Sequence, residues 1–302
     1  MDIGVVIVTY NRINELKKAI SCYENQTKLP KYIIIVNNYS SDGTMEFLKD
    51  WESIKTNFDK HVINLDENLG GSGGFYKGLE KSLNLDANWI WVADDDAYPE
   101  KDALQNIDKK YSEFKDDKNI VAICGAVINN GSIDTEHRRR IKPRKFYISE
   151  KSVSIDEYNK ESFEIDLFSY VGTVLRKDSL IKYGLTEKDY FIYYDDTEHS
   201  LRLSRIGKII CIPSVKIIHN TNNETNNTIN WKLYYGIRNR LHMYKKHFSK
   251  RYYIALYIRL KISMIKSKDS IYKKIVNSAL IDSKNSTCGL HNVYRPGWKY
   301  TK

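Results

Sequence analysis

Three consecutive aspartates, Asp94, Asp95 and Asp96, are the residues of this sequence best suited to chemistry. They follow an apolar run at residues 89–93, which has the length and composition of a buried strand. Side chains alternate along an extended chain, so we expect Asp94 and Asp96 on one side and Asp95 on the other. Two carboxylates on one side suit a divalent metal that keeps open positions for phosphate. The alternative is an acidic, solvated turn.

A glycine-rich segment at residues 68–75 is the second candidate site, and it leads into a helix predicted to end near residue 83. Glycines let a backbone approach a ligand closely, and a helix N-terminus favours anions. The glycine spacing is not that of the dinucleotide-binding fingerprint, and a Walker loop would require Gly-Lys-Ser/Thr. The segment therefore predicts a ligand-contacting backbone, with a flexible turn as the alternative.

A second acidic group and a histidine lie further along the chain. Asp195, Asp196 and Glu198 fall in the first turn of a predicted helix, where the helix dipole favours carboxylates. Glu198 can also pair with Arg202 one turn later. His219 ends an apolar strand. Taken alone, these residues are typical of an ordinary helix start and of a structural histidine.

The elements that must position these residues alternate in the first hundred positions. Strands are predicted at 4–9, 32–36, 62–65 and 89–93, with helices from about 14, at 44–51 and after the glycine segment. This alternation predicts a parallel sheet with right-handed crossovers, in which ligands bind at the carboxyl ends of the strands. The pattern then predicts a helix at 102–114 and strands at 120–128, 167–175, 208–212 and 215–218. Residues 129–164 are irregular and basic, which indicates a solvated loop, a mobile lid or a surface for an anionic partner.

The positive charge of the 302-residue chain is concentrated in its last segment. The net charge is +10, yet residues 231–302 hold 17 lysines and arginines against two acids, which leaves −5 for the rest. Two amphipathic helices are predicted there, at 231–247 and 252–268. In the second, isoleucines form a stripe bordered by cations, which suits an anionic membrane surface. The alternative is a helical pair that only packs or forms an oligomer.

Other features limit the classes of function. The four cysteines have no Cys-x-x-Cys spacing, which favours a reducing compartment. We find no signal-peptide pattern and no apolar run of about 18 residues that could span a bilayer. The basic tail carries no helix-turn-helix, zinc-finger or RNA-binding signature, so we expect no nucleic-acid partner. The sequence predicts a cytoplasmic protein, peripheral at the inner face of the cell membrane if the tail binds lipid.

In order along the chain, these segments resemble the inverting, nucleotide-sugar-dependent glycosyltransferases of family two. The resemblance is carried by residues 6–12 (Val-Ile-Val-Thr-Tyr-Asn-Arg), 36–44, the glycine segment, the aspartates, residues 171–176, residues 191–198 and His219. It implies an α/β GT-A fold, with a Rossmann-like, mostly parallel sheet and flanking helices, over residues 1–228. A basic helical C-terminal region, residues 229–302, would follow as a membrane-surface or oligomer contact.

Within that family the chain looks most like the galactofuranosyltransferases, which use UDP-galactofuranose. A rhamnosyltransferase that uses dTDP-rhamnose, or another hexosyltransferase, is the alternative. An inactive protein that binds a sugar nucleotide is the non-enzyme alternative. The resemblance implies an acceptor that is a glycan or a polyprenyl-diphosphate-linked glycan in bacterial surface polysaccharide synthesis.

The resemblance also assigns roles to residues. Asp94, Asp96 and His219 would hold Mn²⁺ or Mg²⁺, and Asp196 would be the general base. Asn37 stands where the family usually has aspartate. The donor-binding set comprises Thr9, Tyr10, Arg12, Asn37, Asp42, Gly71, Ser72, Gly73, Asp94 and Asp95. The acceptor-binding set comprises Tyr193, Tyr194, Asp195 and Glu198.

Overall fold

The computed structural model describes residues 1–114, 117–220 and 229–300, and it confirms the predicted α/β fold. The strands are β1 Ile3–Thr9, β2 Tyr32–Asn37, β3 Asp59–Asn64, β4 Trp89–Asp94, β5 Tyr98–Pro99, β6 Ile120–Asn129, β7 Ser132–Ile133, β8 Arg138–Pro143, β9 Ile148–Ser152, β10 Phe163–Ile165, β11 Leu167–Phe168, β12 Thr173–Arg176 and β13 Lys208–Ile218. The helices are α1 Ile13–Glu24, α2 Thr44–Ser53, α3 Gly70–Ser82, α4 Ala103–Phe114, α5 Lys177–Tyr183, α6 Asp195–Ser204, α7 Lys232–His247, α8 Lys250–Lys266 and α9 Ser270–Asn285.

A ten-stranded sheet forms the centre of the molecule, with the strand order β10-β13-β6-β12-β4-β1-β2-β3 and with β5 and β7 at its margins. Strands β3, β2, β1 and β4 are parallel to one another. In their register, Val8 lies beside Asp94 and Thr9 beside Asn37. The carboxyl ends of these strands therefore meet at one edge of the sheet, as expected for a ligand-binding edge.

The apolar strands are buried on both faces, because helices cover both sides of the sheet. Every residue of β1 and β2 is buried, and so are the first five of β4. From Gly70 onwards the glycine segment is the first part of helix α3, and not a loop before it. A Cβ on Gly74 would lie 2.5 Å from the side chain of Val8, and a Cβ on Gly78 would lie 2.3 Å from that of Val6. These two glycines therefore allow α3 to pack closely against β1.

The basic segment at residues 129–164 contains strands, which corrects the prediction of an irregular loop, while Arg140, Lys142, Arg144 and Lys145 are exposed. Strand β8 pairs with both β9 and β11 in a separate three-stranded sheet. Arg138 has no exposed surface, and its guanidinium donates to the carbonyls of Gly125, Val171 and Gly172. The cation thus links the small sheet to the central one.

Three further predicted boundaries are wrong. The strand predicted at 167–175 is two short strands in different sheets, β11 and β12. The strands predicted at 208–212 and 215–218 are one strand, β13, with an irregularity in its pairing to β6. Helix α1 begins at Ile13 with Arg12 as its N-cap, so Asn14, the predicted N-cap, lies inside the helix.

The C-terminal region consists of α7, α8 and α9, of which the first two were predicted. A buried cluster joins these helices to the sheet-containing part of the chain; it includes Leu167, Phe191 and Leu201 together with Tyr235 and Leu241. The predicted domain boundary at residue 228 falls in 221–228, outside the described residues. No helix in the described part of the chain has the length and apolar character needed to cross a membrane.

Candidate active site

The topology brings the three residues predicted to hold a metal together. Asp94 ends β4, Asp96 follows it, and His219 comes directly after β13. Ile218 of β13 pairs with Tyr98 of β5, which places His219 beside the aspartates. His219 Nε2 lies 3.2 Å from Asp96 Oδ1, and one ligand atom from each of the three residues lies within 4.8 Å of the others. Two carboxylates and an imidazole in this arrangement fit Mn²⁺ or Mg²⁺.

The three aspartates differ strongly in their readiness to ionise. Burial raises the pKa of Asp94 to about 6, and the charge of Asp96 adds to the rise. Burial also raises the pKa of Asp95, to about 7. Burial opposes ionisation of Asp96 as well, yet its hydrogen bond with His219 and its contact with Arg12 lower its pKa to about 2. A cation near Asp94 and Asp96 would favour both carboxylates in their charged form.

Asp95 contacts the end of β1 and the same arginine that contacts Asp96. Thr9 Oγ1 donates to Asp95 Oδ2 at 2.7 Å. Arg12 Nη1 lies 3.3 Å from Asp95 Oδ1 and 2.9 Å from Asp96 Oδ2, so it joins the two carboxylates. The ends of β1 and β4 are therefore fixed to each other by charge-assisted contacts.

A cavity of about 310 Å³ opens beside these residues. Several residues of the predicted donor set line it: Thr9, Tyr10, Arg12, Gly71, Asp94 and Asp95. A Cβ on Gly71 would meet no atom within 4 Å, so this position faces open space. Lining residues outside the predicted donor set include Asn38, Phe191, Ile192, Trp231, Lys232 and Pro296. The cavity has the size and position expected for part of a nucleotide-sugar site.

Four residues of the predicted donor set do not line this cavity. Asn37 has no exposed surface, and its amide donates to Asn64 and accepts from the Ser40 backbone N–H. Asp42 accepts from the backbone N–H of Ile13 and from Thr44, so it holds a loop together. Ser72 is fully buried, and Gly73 lines a neighbouring cavity. In this structure these four residues hold the neighbouring loop and helix in place or lie beside the cavity, and their direct contact with a donor stays a prediction.

Asp196 lies at the start of α6, after a loop with an unusual backbone. Phe191, Tyr193 and Tyr194 have φ values of 67°, 67° and 68°, the left-handed region that side chains disfavour. Asp196 Oδ1 accepts hydrogen bonds from the Thr197 backbone N–H and from Thr197 Oγ1 at 3.0 Å. Arg139 donates to the same hydroxyl at 2.9 Å.

The electrostatic surroundings of Asp196 suit a proton acceptor. Burial raises its pKa, and the charge of Arg139 and the hydrogen bonds from Thr197 limit the rise. The charge of Asp196 in turn is one of the causes that raise the pKa of Asp94. Asp196 is therefore near the candidate metal site and more basic than an exposed aspartate.

The predicted acceptor-binding residues fall into two groups. Tyr193 is 47% exposed, Tyr194 is half-buried, and Asp195 is buried directly beside Asp196. Glu198 has no exposed surface; it accepts from Arg202 at 3.0 Å and lies 2.6 Å from His247 Nε2. The acceptor-binding prediction for Glu198 is therefore wrong, because an acceptor cannot reach it. Its carboxylate instead connects α6 to α7.

Some residues near the site were not found from the sequence. His137 packs edge-on against His219 with ring centroids 5.6 Å apart, and its Nδ1 lies 2.6 Å from Ser169 Oγ. Arg139 was read as part of a solvated run, although its position next to the buried Arg138 on a strand allows the two to face opposite sides. Asn239 on α7 is buried and donates to backbone carbonyls of the loop before α6. No local pattern marks such a residue.

Sequence comparison identifies relatives over the same part of the chain. The family described as Glycosyl transferase family 2 matches residues 4–184. Galactofuranosyltransferase GlfT1 of Mycobacterium tuberculosis is 29% identical over 214 residues, which cover 68% of this chain and 66% of that protein. The dTDP-rhamnosyl transferase RfbF of Shigella flexneri is 27% identical over 219 residues, covering 72% of this chain and 69% of that protein.

Solved structures with the same fold are more distant in sequence. GalNAc-T7, in a crystal structure with UDP, GalNAc and Mn²⁺, superposes with a TM-score of 0.67 at 14% identity, over 94% of this chain and 56% of that chain. Residues 1–349 of S. aureus TarS, in a complex with UDP-GlcNAc, give a TM-score of 0.57 at 12% identity, over 94% of this chain and 81% of that chain. Since the family match covers more than half of the residues and these neighbours share the GT-A fold, the chain belongs to glycosyl transferase family 2.

Proposed function

We propose that this glycosyltransferase is metal-dependent and inverting, and that it transfers a hexose from a nucleotide sugar to a glycan acceptor. The observation that carries the proposal is the convergence of Asp94, Asp96 and His219, with ligand atoms within 4.8 Å of one another. The 310 Å³ cavity lies on one side of this group, and Asp196 is close enough to raise the pKa of Asp94. In this proposal the diphosphate site and the base are adjacent.

Each group has a distinct part in the proposed reaction. Asp94, Asp96 and His219 would hold a divalent metal, which supplies Lewis-acid stabilisation of the departing diphosphate. Tyr10, Arg12, Gly71 and Asp95 would bind the donor along the cavity. Asp196 would accept the proton of the acceptor hydroxyl as that oxygen attacks the anomeric carbon. A single displacement of this kind inverts the anomeric centre and needs no covalent enzyme intermediate.

For the donor sugar we propose galactofuranose from UDP-galactofuranose. Support comes from the relatives named galactofuranosyltransferase in two mycobacterial genera, at 29% and 25% identity. The relative named dTDP-rhamnosyl transferase, at 27% identity, makes dTDP-rhamnose the second candidate. A fold does not determine a substrate, so a donor assay distinguishes the two candidates.

The experiment is a screen of UDP- and dTDP-sugars for donor hydrolysis and for transfer to lipid-linked glycans, with and without Mn²⁺. We expect release of UDP from UDP-galactofuranose that depends on metal. Release from dTDP-rhamnose alone would replace the first candidate by the second. Binding of a sugar nucleotide without hydrolysis or transfer to any acceptor would favour an inactive binding protein, and no binding of any sugar nucleotide would refute the proposal.

For the acceptor side we propose that Tyr193, Tyr194 and Asp195 contact the glycan, since they precede or adjoin Asp196. Tyr193 is the most exposed of them, at 47%. An aromatic side chain beside a base is suited to stacking on a sugar ring. Replacement of Tyr193 by alanine should raise KM for the acceptor more than KM for the donor.

We further propose that residues 229–302 form a C-terminal region that binds the surface of an anionic membrane and places the enzyme next to a polyprenyl-diphosphate-linked acceptor. On α8, four isoleucines are 43–66% exposed: Ile254, Ile258, Ile262 and Ile265. The opposite stripe packs inward, with Tyr252 and Leu256 nearly buried. Helix α8 carries five lysines and arginines and no acid. An exposed apolar stripe among cations matches the chemistry of an anionic lipid surface. Self-association through the same stripe is the alternative.

A further inference from the structure

We propose that the C-terminal region completes the donor pocket, with Lys232 at the start of α7 supplying a cation that contacts the diphosphate of the bound nucleotide. The inference rests on the proposed donor site. Trp231, Lys232 and Pro296 line the 310 Å³ cavity together with Arg12, Gly71 and Asp94. The wall of the pocket is therefore built from two parts of the chain that are distant in sequence.

The positions of these C-terminal residues are fixed by contacts to the catalytic part. The Trp231 ring lies 6.2 Å from the ring of Phe191, which also lines the cavity. Two turns further along α7, the buried Asn239 donates to the carbonyls of Ile192 and Tyr193 at 2.9 Å. The start of α7 is thus attached to the loop that forms the neighbouring wall of the pocket.

The last segment of the chain is held at the pocket in a similar way. Tyr235 Oη donates to the carbonyl of Tyr294 at 2.7 Å, and the rings of Tyr234 and Tyr294 stack 5.2 Å apart. These contacts place Pro296 on the cavity wall, two residues further on. Pro296 and Trp231 give the outer wall an apolar surface that can exclude water from a bound diphosphate.

Charge singles out Lys232 among the lining residues. The cations on the cavity wall are Arg12 and Lys232. Arg12 is already paired, with Nη1 3.3 Å from Asp95 and 2.9 Å from Asp96. Within residues 1–114, 117–220 and 229–300, the ammonium of Lys232 forms no ion pair and lies 5.9 Å from the Trp231 ring. A half-buried ammonium on a flexible stem is able to turn towards a phosphate.

The chemistry of the reaction makes such a cation useful. When the bond between the anomeric carbon and the phosphate oxygen breaks, the nucleoside diphosphate gains negative charge. Asp94 and Asp96 add negative charge to the same region, and Arg12 is occupied by carboxylates. A positive group on the opposite wall would stabilise both the bound donor and the departing diphosphate.

The test compares a nucleoside diphosphate with its nucleoside. Binding of UDP, dTDP, uridine and thymidine is measured in the presence of Mn²⁺ for the full-length wild type, Lys232→Met and Lys232→Arg. We expect Lys232→Met to weaken binding of the diphosphate about tenfold, the loss of one charge-assisted contact, and to leave nucleoside binding unchanged. Lys232→Arg should restore most of the affinity. Lys274→Met, at an exposed position of α9, is the matched control and should bind as the wild type does.

Two results would overturn the inference. If wild type binds UDP or dTDP and Lys232→Met binds it equally well, the cation does not contact the diphosphate, and the proposed donor site still stands. If Lys232→Met weakens the nucleoside as much as the diphosphate, the residue shapes the pocket without recognising phosphate. Failure of the wild type to bind either diphosphate would instead remove the donor site itself.

Discussion

Asn239 provides the clearest prediction about how the C-terminal region supports the site. Its side chain is fully buried, and its amide nitrogen lies 2.9 Å from each of the backbone carbonyls of Tyr190, Ile192 and Tyr193. These carbonyls belong to the loop that leads to Asp195 and Asp196. In Asn239→Ala the carbonyls of Ile192 and Tyr193 lose this donor while they remain packed under α7, whereas the Tyr190 carbonyl still accepts from the Ile192 backbone N–H and from Arg238.

The magnitude follows from the number of contacts. The amide has two N–H groups, and leaving a buried acceptor without its donor costs about 1–3 kcal/mol. If the carbonyls of Ile192 and Tyr193 are both left without this donor, we expect a decrease of about 2–6 kcal/mol in the free energy of unfolding. The loop also holds Phe191, Tyr193 and Tyr194 at positive φ, each at a cost of about 1–2 kcal/mol. Relaxation of that backbone would bring the decrease towards the lower value and would displace Asp196.

The assay combines urea unfolding with hydrogen exchange of the amides at residues 190–198 and a transfer assay. We expect Asn239→Ala to unfold at lower urea concentration, to exchange faster in this loop, and to lose turnover more than donor affinity. The control is Asn277→Ala, at an exposed position of α9, where a change within about 0.5 kcal/mol is expected. A stability within that range for Asn239→Ala, with unchanged exchange, would refute the reasoning.

Three further predictions concern other parts of the molecule. Asp196→Asn should bind the donor with unchanged affinity, measured by calorimetry, and should show no sugar transfer in a product assay, since the amide cannot accept the proton. Full turnover of this variant would reject Asp196 as the general base. The double variant Ile258→Ser/Ile262→Ser should co-sediment several-fold less with anionic liposomes and should hydrolyse the donor as the wild type does. If it binds liposomes as well as the wild type at low salt, α8 is not the membrane contact. Burial acts to raise the pKa of Glu198, but the hydrogen bond with His247 and the charges of Arg202 and Lys246 outweigh it and lower the pKa to about 2. The charged Glu198 therefore stabilises the fold above about pH 4.5, and this contribution is lost as the pH falls towards 2. Between these pH values the free energy of unfolding should decrease more for the wild type than for Glu198→Gln. Parallel curves of unfolding free energy against pH for the two proteins would contradict this.

The residue patterns predicted the parallel half of the sheet and the pair Asp94 and Asp96, and the family resemblance added His219 to the candidate metal residues. Strands β1, β2 and β4 are continuous apolar runs because both faces of the sheet are covered, and such runs are recognisable without tertiary information. Parallel strands also bring their carboxyl ends to one edge, so residues after different strands can be grouped. Asp94, Asp96 and His219 follow that rule.

Other features could not be predicted because their structure depends on distant partners. The run Arg138–Arg140 is typical of a solvated loop, yet Arg138 is buried against carbonyls contributed by residues more than ten positions away. Glu198 can pair locally with Arg202, and only the position of α7 shows that His247 covers it as well. The contribution of Lys232 and Pro296 to the cavity likewise depends on how the C-terminal helices fold back.

The central claim is that Asp94, Asp96 and His219 hold one divalent metal against the diphosphate of a nucleotide bound in the adjoining cavity. Anomalous diffraction from a crystal grown with Mn²⁺ and UDP tests this directly. We expect one strong manganese peak within coordination distance of all three side chains and of the diphosphate. A manganese peak that lies elsewhere, or UDP bound with no metal between it and these residues, would contradict it.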